Sequence, residues 1–491
     1  MSISPEFDKI RCSEVVAVSA SNGIECKLPL TEEEYKEILG VDVTASLIST
    51  ECFNNEIKYN GRAIFTVVYK SENAVKKQEA GVEFSFKCDF EKCLEGMTCL
   101  SDIKCDNVKV NFVNGIAVAS AVVIFNGEIS KPLEIEYFLK ENQIMVKNHE
   151  LDYSYEVCKV KKEFKLEDEF DLPILVGDVL CHTEKVCVTA CQSGIGVIIV
   201  DGEVELTSLI CPLEQGKEPV TIVKKIPFRT EAECSEALPE LLACAYVCVK
   251  NANLKVYVDE VKNKSAVSVE ITLETNAKTY NYNTFSYGVD AYSPESEIKL
   301  TKEDKKINKI IGFKCVEEKI SSEISFDAPK NSRLIGVISD KIEDVRYTLL
   351  SGEILIEGII NVSCLFVDEG YFSKSAVLPF SLKLKLDGNK FDFIKCEAVD
   401  VKVSKNHAEF ILKVCFLDLL ECKFKAITEV LEGQKKKVNN SAISVYIPNK
   451  GDELWDVAKE LGVTKEDILK INKDLEFPLS GNERIVVYRE K

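Results

Sequence analysis

Tyr59-Asn60-Gly61-Arg62-Ala63-Ile64-Phe65-Thr66-Val67-Val68-Tyr69 reads as a β-strand with one buried face: a glycine, then apolar residues at every second position. The same pattern returns at Val200-Asp201-Gly202-Glu203-Val204-Glu205-Leu206-Thr207-Ser208-Leu209-Ile210. It returns again at Ile356-Glu357-Gly358-Ile359-Ile360-Asn361-Val362-Ser363-Cys364-Leu365-Phe366. Each glycine predicts a bulge or a close backbone approach.

Other markers keep the same order around each copy. A phenylalanine follows the glycine by 22 to 26 residues, in Val82-Glu83-Phe84, Ile226-Pro227-Phe228 and Leu378-Pro379-Phe380. A proline precedes it by about 30 residues (Pro29, Pro173, Pro329), and a cysteine precedes that proline by 14 to 17 (Cys12, Cys158, Cys315). Each copy closes on a hairpin-like pair of alternating runs: Val108–Phe112 with Ile116–Phe125, Leu254–Val258 with Ala266–Leu273, and Val399–Val403 with Ala408–Val414. Asn114-Gly115 between the first pair is a strong hairpin signal. The glycines lie 141 and 156 residues apart, too far for a solenoid repeat, so each copy is expected to be a domain. The expected fold is mainly β: three repeated antiparallel sandwich- or barrel-like domains. Within the copies, helices are expected only at Thr31–Leu39, from its capping signal, and at Ser235–Leu242. Charged polar stretches at about 141–157 and 293–309, and a tether at 432–442, mark the boundaries. The expected domains are therefore 1–150, 151–305 and 306–431, then a terminal module at 443–491.

Composition narrows function. The 491 residues carry 81 acidic against 62 basic side chains, a net charge of −19, which disfavours nucleic acid and anionic membranes as partners. No apolar stretch is long enough for membrane insertion, and MSISPEFDKIRCSEV has no basic-then-apolar export pattern, so the chain is expected to stay where it is made. Twenty cysteines without any CxxC read as small buried hydrophobes, with exposed ones open to later cross-linking. Three scattered histidines and no phosphate-loop, dinucleotide or HExxH motif argue against an enzyme and against a cofactor or metal.

The last fifty residues follow another rule. Val445-Tyr446-Ile447 is a strand, Asn449-Lys450-Gly451-Asp452 a turn, and Asp452 is placed as an N-cap. Leu454, Val457, Ala458 and Leu461 form one apolar helix face that Gly462 ends. Thr464 and Asp467 cap a second helix, in which Ile468, Leu469 and Ile471 face the core and Asn472 closes it. Ile485-Val486-Val487 is the return strand, and Trp455, the only tryptophan, is expected in the core.

These residues, from Gly451-Asp452-x-Leu454-Trp455 through Ile468-x-x-Ile471-Asn472 to Ser480-Gly481, resemble the LysM family. The resemblance implies a βααβ fold and a groove for N-acetylglucosamine glycans, formed here by Gly451, Asp452, Glu453 and Leu454 facing Leu479, Ser480 and Gly481. Glu453, Asp474, Glu476 and Glu483 make that groove acidic, and Asn482 stands where the family usually has glutamine, which turns the expectation toward a protein partner. Repeated glycine strands and Pro-Phe segments ahead of such a module resemble the SPOCS spore-coat domain family. That resemblance implies a non-enzymatic coat-assembly adaptor, made in the mother-cell cytoplasm and then laid on the forespore surface in the spore coat. Its LysM module would dock on a SpoIVA-like coat ATPase, and its β domains would offer surfaces for other coat proteins and for self-association. The alternative is a protein that binds peptidoglycan of the spore cortex or cell wall.

Overall fold

The quoted stretch is the central strand of a three-stranded sheet, and so are both of its counterparts. The protein is described by a computed structural model over residues 5–72, 74–140, 144–214, 216–261, 263–324, 326–436 and 443–488. It is mainly β and built of several small antiparallel sheets.

The first set of strands is β1 (Glu6–Thr31), β2 (Glu37–Phe53), β3 (Glu56–Ser71), β4 (Ala74–Asp89), β5 (Cys99–Val113) and β6 (Ile116–Lys140). The second is β7 (Met145–Leu172), β8 (Val176–Ser193), β9 (Val197–Pro212), β10 (Val220–Glu233), β11 (Leu242–Asp259) and β12 (Lys264–Tyr292). The third is β13 (Ser296–Glu323), β14 (Arg333–Leu350), β15 (Glu353–Val367), β16 (Tyr371–Lys385), β17 (Lys390–Val403) and β18 (His407–Lys435). Each set makes two sheets in the same order. One is β2-β3-β4, β8-β9-β10 or β14-β15-β16; the other is β1-β6-β5, β7-β12-β11 or β13-β18-β17. Alternation of apolar and polar side chains gives each sheet one apolar face, and the two faces of a set share one core. Tyr59 and Phe65 of β3 meet Leu28 of β1 and Phe125 of β6; Ile356 and Ile360 of β15 meet Phe410 and Val414 of β18.

The repeated glycine and phenylalanine are cross-strand partners: Gly61 opposite Phe84, Gly202 opposite Phe228, Gly358 opposite Phe380. A Cβ on Gly202 would lie 2.4 Å from the Phe228 ring and 2.7 Å from the Cys187 carbonyl oxygen. The neighbouring strand carries a register shift nearby in every set, at Leu47/Ser49, Val188/Ala190 and Glu343/Arg346. Both expectations for the glycines therefore hold: the ring lies over bare backbone beside a bulged strand. Asn114 and Gly115, at φ 52° and 78°, make the tight β5–β6 turn that the sequence predicted.

Two expected helices are absent. Thr31–Leu39 forms a turn and then enters β2, because Leu39 is buried between sets rather than on a helix face. Ser235–Leu242 is two successive turns leading into β11, with Pro239 interrupting any helix. The charged stretches at 145–157 and 296–309 are strand, since their alternate residues, such as Tyr153 and Ile307, are buried. Of the expected tether, 432–435 ends β18 and 437–442 lies outside the described residues.

The three sets touch one another. Where β1 with β6, β7 with β12 and β13 with β18 run on as two-stranded ribbons past the third strand of each sheet, an aromatic core joins them. Phe285 of β12 lies 5.1 Å from Tyr137 of β6 and 5.6 Å from Phe424 of β18, measured between ring centres. A second shared core gathers Leu39 and Val68, Leu180 and Leu209, and Ile338 and Leu365, two residues from each set. The chain continues through β19 (Ile443–Tyr446), α1 (Leu454–Leu461), α2 (Lys465–Ile471) and β20 (Ile485–Tyr488), with β19 and β20 antiparallel.

Candidate functional site

The seven residues singled out in the terminal segment come together in space. The Gly451 N–H donates to the Leu479 carbonyl at 2.8 Å, and the Leu479 N–H donates to the Asp452 carbonyl at 3.0 Å. Gly451 and Gly481, at φ 96° and 91°, permit the two tight bends, and a Cβ on Gly481 would press the Lys450 backbone at 3.1 Å. Gly451, Glu453 and Ser480 are exposed, while Leu454 and Gly481 are partly covered. Leu479 is 2% exposed and belongs to the core, so it lies beneath the two loops and offers no contact surface.

Asp452 does not cap α1. Its carboxylate accepts the Asn449 N–H at 2.7 Å and closes the turn, so the cap shifts to Glu453, whose own N–H donates to Asp456 at 3.3 Å. Gly462 ends α1 in the left-handed region, and Thr464 with Asp467 forms the predicted capping box of α2. Leu469 is exposed rather than core-facing, since α2 is short and only Ile468 is fully covered. One of the acidic side chains of these loops is committed to backbone: Glu483 accepts the Ser480 and Gly481 N–H groups, each at 2.9 Å. Those backbone donors, with no opposing burial of note, hold its carboxyl down to about 2.

Trp455 is core, as expected, and also a joint. Its indole N–H donates to Asp290 of β12 at 2.9 Å, and its ring meets Tyr292 edge-on at 5.0 Å. Tyr292 donates to the Val463 carbonyl at 2.6 Å, and Lys459 pairs with Asp290 at 2.6 Å. Burial works against ionisation of Asp290, but Lys459 and the indole outweigh it and its carboxyl is lowered on balance. The terminal segment is thus seated on the end of β12.

The sequence reading did not find the polar centre between the three sets. A cavity of about 350 Å³ is lined by Asp42 and Asp106 of the first, His182 and Lys250 of the second, and Asp340 and Lys395 of the third. Asp42 pairs with Lys341 at 2.6 Å, and Lys185 pairs with Asp340, so each bond crosses from one set to another. Burial disfavours charge on His182, yet Glu184 at 2.5 Å raises its affinity for a proton. Nearby, fully buried Lys278 of β12 pairs with Glu128 of β6 and lies 3.6 Å from Glu156 of β7; burial pushes its ammonium down to about 8. The Asp42–Lys341 and Lys185–Asp340 pairs bridge the sets across this centre, while Asp102 Oδ1, also in its lining, finds no partner among the described residues. Its only sequence signal was a charge inside an apolar run, as in Val41-Asp42-Val43. Comparison of the chain with known protein families, characterised proteins and solved structures returned no match.

Proposed function

We propose that the chain is a spore-coat morphogenetic adaptor of the SipL type, in which a LysM-fold module docks on a SpoIVA-like coat ATPase. In this reading the three strand sets are repeated sandwich domains that act as scaffold in the mother-cell cytoplasm and later in the coat. The observation that carries it is the seating of the terminal segment. Trp455, Lys459 and Val463 hold it against β12, while Gly451, Glu453 and Ser480 stay exposed on their loops. A rigid three-set body that presents one small acidic module suits an adaptor. Backbone bonds already close the groove, and Asp452 and Glu483 are spent on the loops themselves, so a flat protein face fits better than a buried sugar ring. Co-precipitation of the full-length chain with the ATPase, beside retention on chitin oligomers and peptidoglycan, tests this. Capture by the ATPase that Ser480→Trp abolishes is expected. Retention on glycan without capture of the ATPase sinks the proposal.

A further inference from the structure

Cystines occupy two of the three sets. Cys158–Cys234 ties β7 to the segment after β10, and Cys315–Cys415 ties β13 to β18. The first set holds free thiols instead, three of them in one place. Cys52 lies near the end of β2, Cys99 opens β5, and Cys93 sits in the connection between β4 and β5. That connection is pinned over the β2–β3 turn: the Asn55 N–H donates to the Cys93 carbonyl at 3.0 Å, and the Gly96 N–H to the Cys52 carbonyl at 3.4 Å. The Thr50 and Ser101 hydroxyls, two residues from Cys52 and Cys99, lie 2.9 Å apart and hold β2 against β5, so Cys52 and Cys99 share one buried corner with Cys93. They are 7%, 0% and 6% exposed for Cys52, Cys93 and Cys99.

We propose that Cys52 and Cys99 are a peroxide-oxidisable dithiol whose disulfide joins the two sheets of the first set. Cys99 is the attacking sulfur. The neighbouring Cys52 thiol and the Lys159 ammonium together outweigh burial and lower its proton affinity. The Lys159 ammonium is fixed there by the Thr98 and Glu128 carbonyls, at 3.2 and 3.1 Å. The Cys99 thiolate attacks one oxygen of hydrogen peroxide; the S–O bond forms, the O–O bond breaks, and the departing hydroxide takes the proton Cys99 gave up. Cys52 then attacks the sulfenic sulfur; the S–S bond forms, the S–O bond breaks, and hydroxide leaves with the Cys52 proton. Two thiols lose two electrons and one peroxide becomes two waters. The oxidant is a hydroperoxide, because sulfurs this little exposed leave no face for a bulky disulfide such as oxidised glutathione.

Peptide mapping of the full-length protein under non-reducing conditions tests this after brief exposure to hydrogen peroxide. A Cys52–Cys99 linked peptide is expected, with two fewer thiols titratable after unfolding and full recovery in dithiothreitol. Oxidised glutathione at the same concentration should give no such peptide. In Cys52→Ser, Cys99 should run on to sulfinic acid; in Cys99→Ser, Cys52 should stay reduced; Cys93→Ser should keep the link. The wild-type map stands without any variant. A Cys52–Cys93 link, sulfinic acid at Cys99 in the wild type, or both thiols still open to alkylation after peroxide overturns the proposal.

Discussion

Residues 6–435 and residues 443–488 solve the same problem, burying enough apolar surface, by opposite means. The body uses strands as long as 29 residues that run past the third strand of their sheets as paired ribbons and finish in a core shared by all three sets. The terminal module has two four-residue strands and two helices of eight and seven residues. It relies on caps, loop hydrogen bonds and a seat on β12. The difference teaches that order comes from cross-set contact in one region and from local chemistry in the other. Trp455, the only tryptophan, reports on the module by fluorescence, while far-UV circular dichroism reports on the strands.

The largest effect is expected at the shared aromatic core. Phe285→Ala removes a ring that touches residues of all three sets and should cost about 3–5 kcal/mol. Urea unfolding followed by circular dichroism should move to lower denaturant as one transition. A split in which one set melts ahead of the others would show that the sets fold independently and break the comparison. In the module, Ile468→Ala should cost about 2–5 kcal/mol and move the fluorescence transition while leaving the circular dichroism midpoint in place. Equal movement of both would mean that body and module are one cooperative unit.

Local strand logic was open to reading. The alternation at Tyr59–Tyr69, the glycine–phenylalanine spacing and Asn114-Gly115 all report bonds between neighbours in the chain, and all three returned as central strands, cross-strand pairs and a tight turn. The misreading at Thr31–Leu39 is instructive. Glu34 does accept the Thr31 N–H and hydroxyl, each at 2.9 Å, so the capping signal is real. The chain nonetheless turns into β2, because the Lys36 N–H pairs with the Lys70 carbonyl and Leu39 enters a core shared with the other two sets. The same limit hid the pairs Lys278–Glu128, Asp290–Lys459, Asp42–Lys341 and Lys185–Asp340, whose partners are distant in the chain and carry no local pattern. In the terminal segment the seven residues were found, but not that Leu479 faces inward or that Asp452 serves the turn.

Asp290 belongs to the body and serves the module, so it tests where the two meet. Asp290→Ala leaves the buried Trp455 N–H and the Lys459 ammonium without their acceptor and should cost the module about 1–3 kcal/mol. The fluorescence midpoint should fall and protease should release the terminal segment sooner, with the strands untouched. An unchanged midpoint would mean that the module stands on its own core.

Acid offers the smallest and most selective probe. In the body, burial raises Glu156 and Asp340, so these carboxylates take up protons above the ordinary range. In the module, Glu483 runs the other way, held at about 2 by the Ser480 and Gly481 amides. Its folded value lies below the ordinary glutamate value of about 4.3, so its support of the loop is complete above that pH and fades only as pH falls toward 2. The Ser480 and Gly481 amide resonances should titrate together with a midpoint near 2, and Glu483→Gln should remove that titration. A midpoint at the ordinary glutamate value would mean that the carboxylate is solvated, leaving the 480–483 bend to the left-handed Gly481 alone.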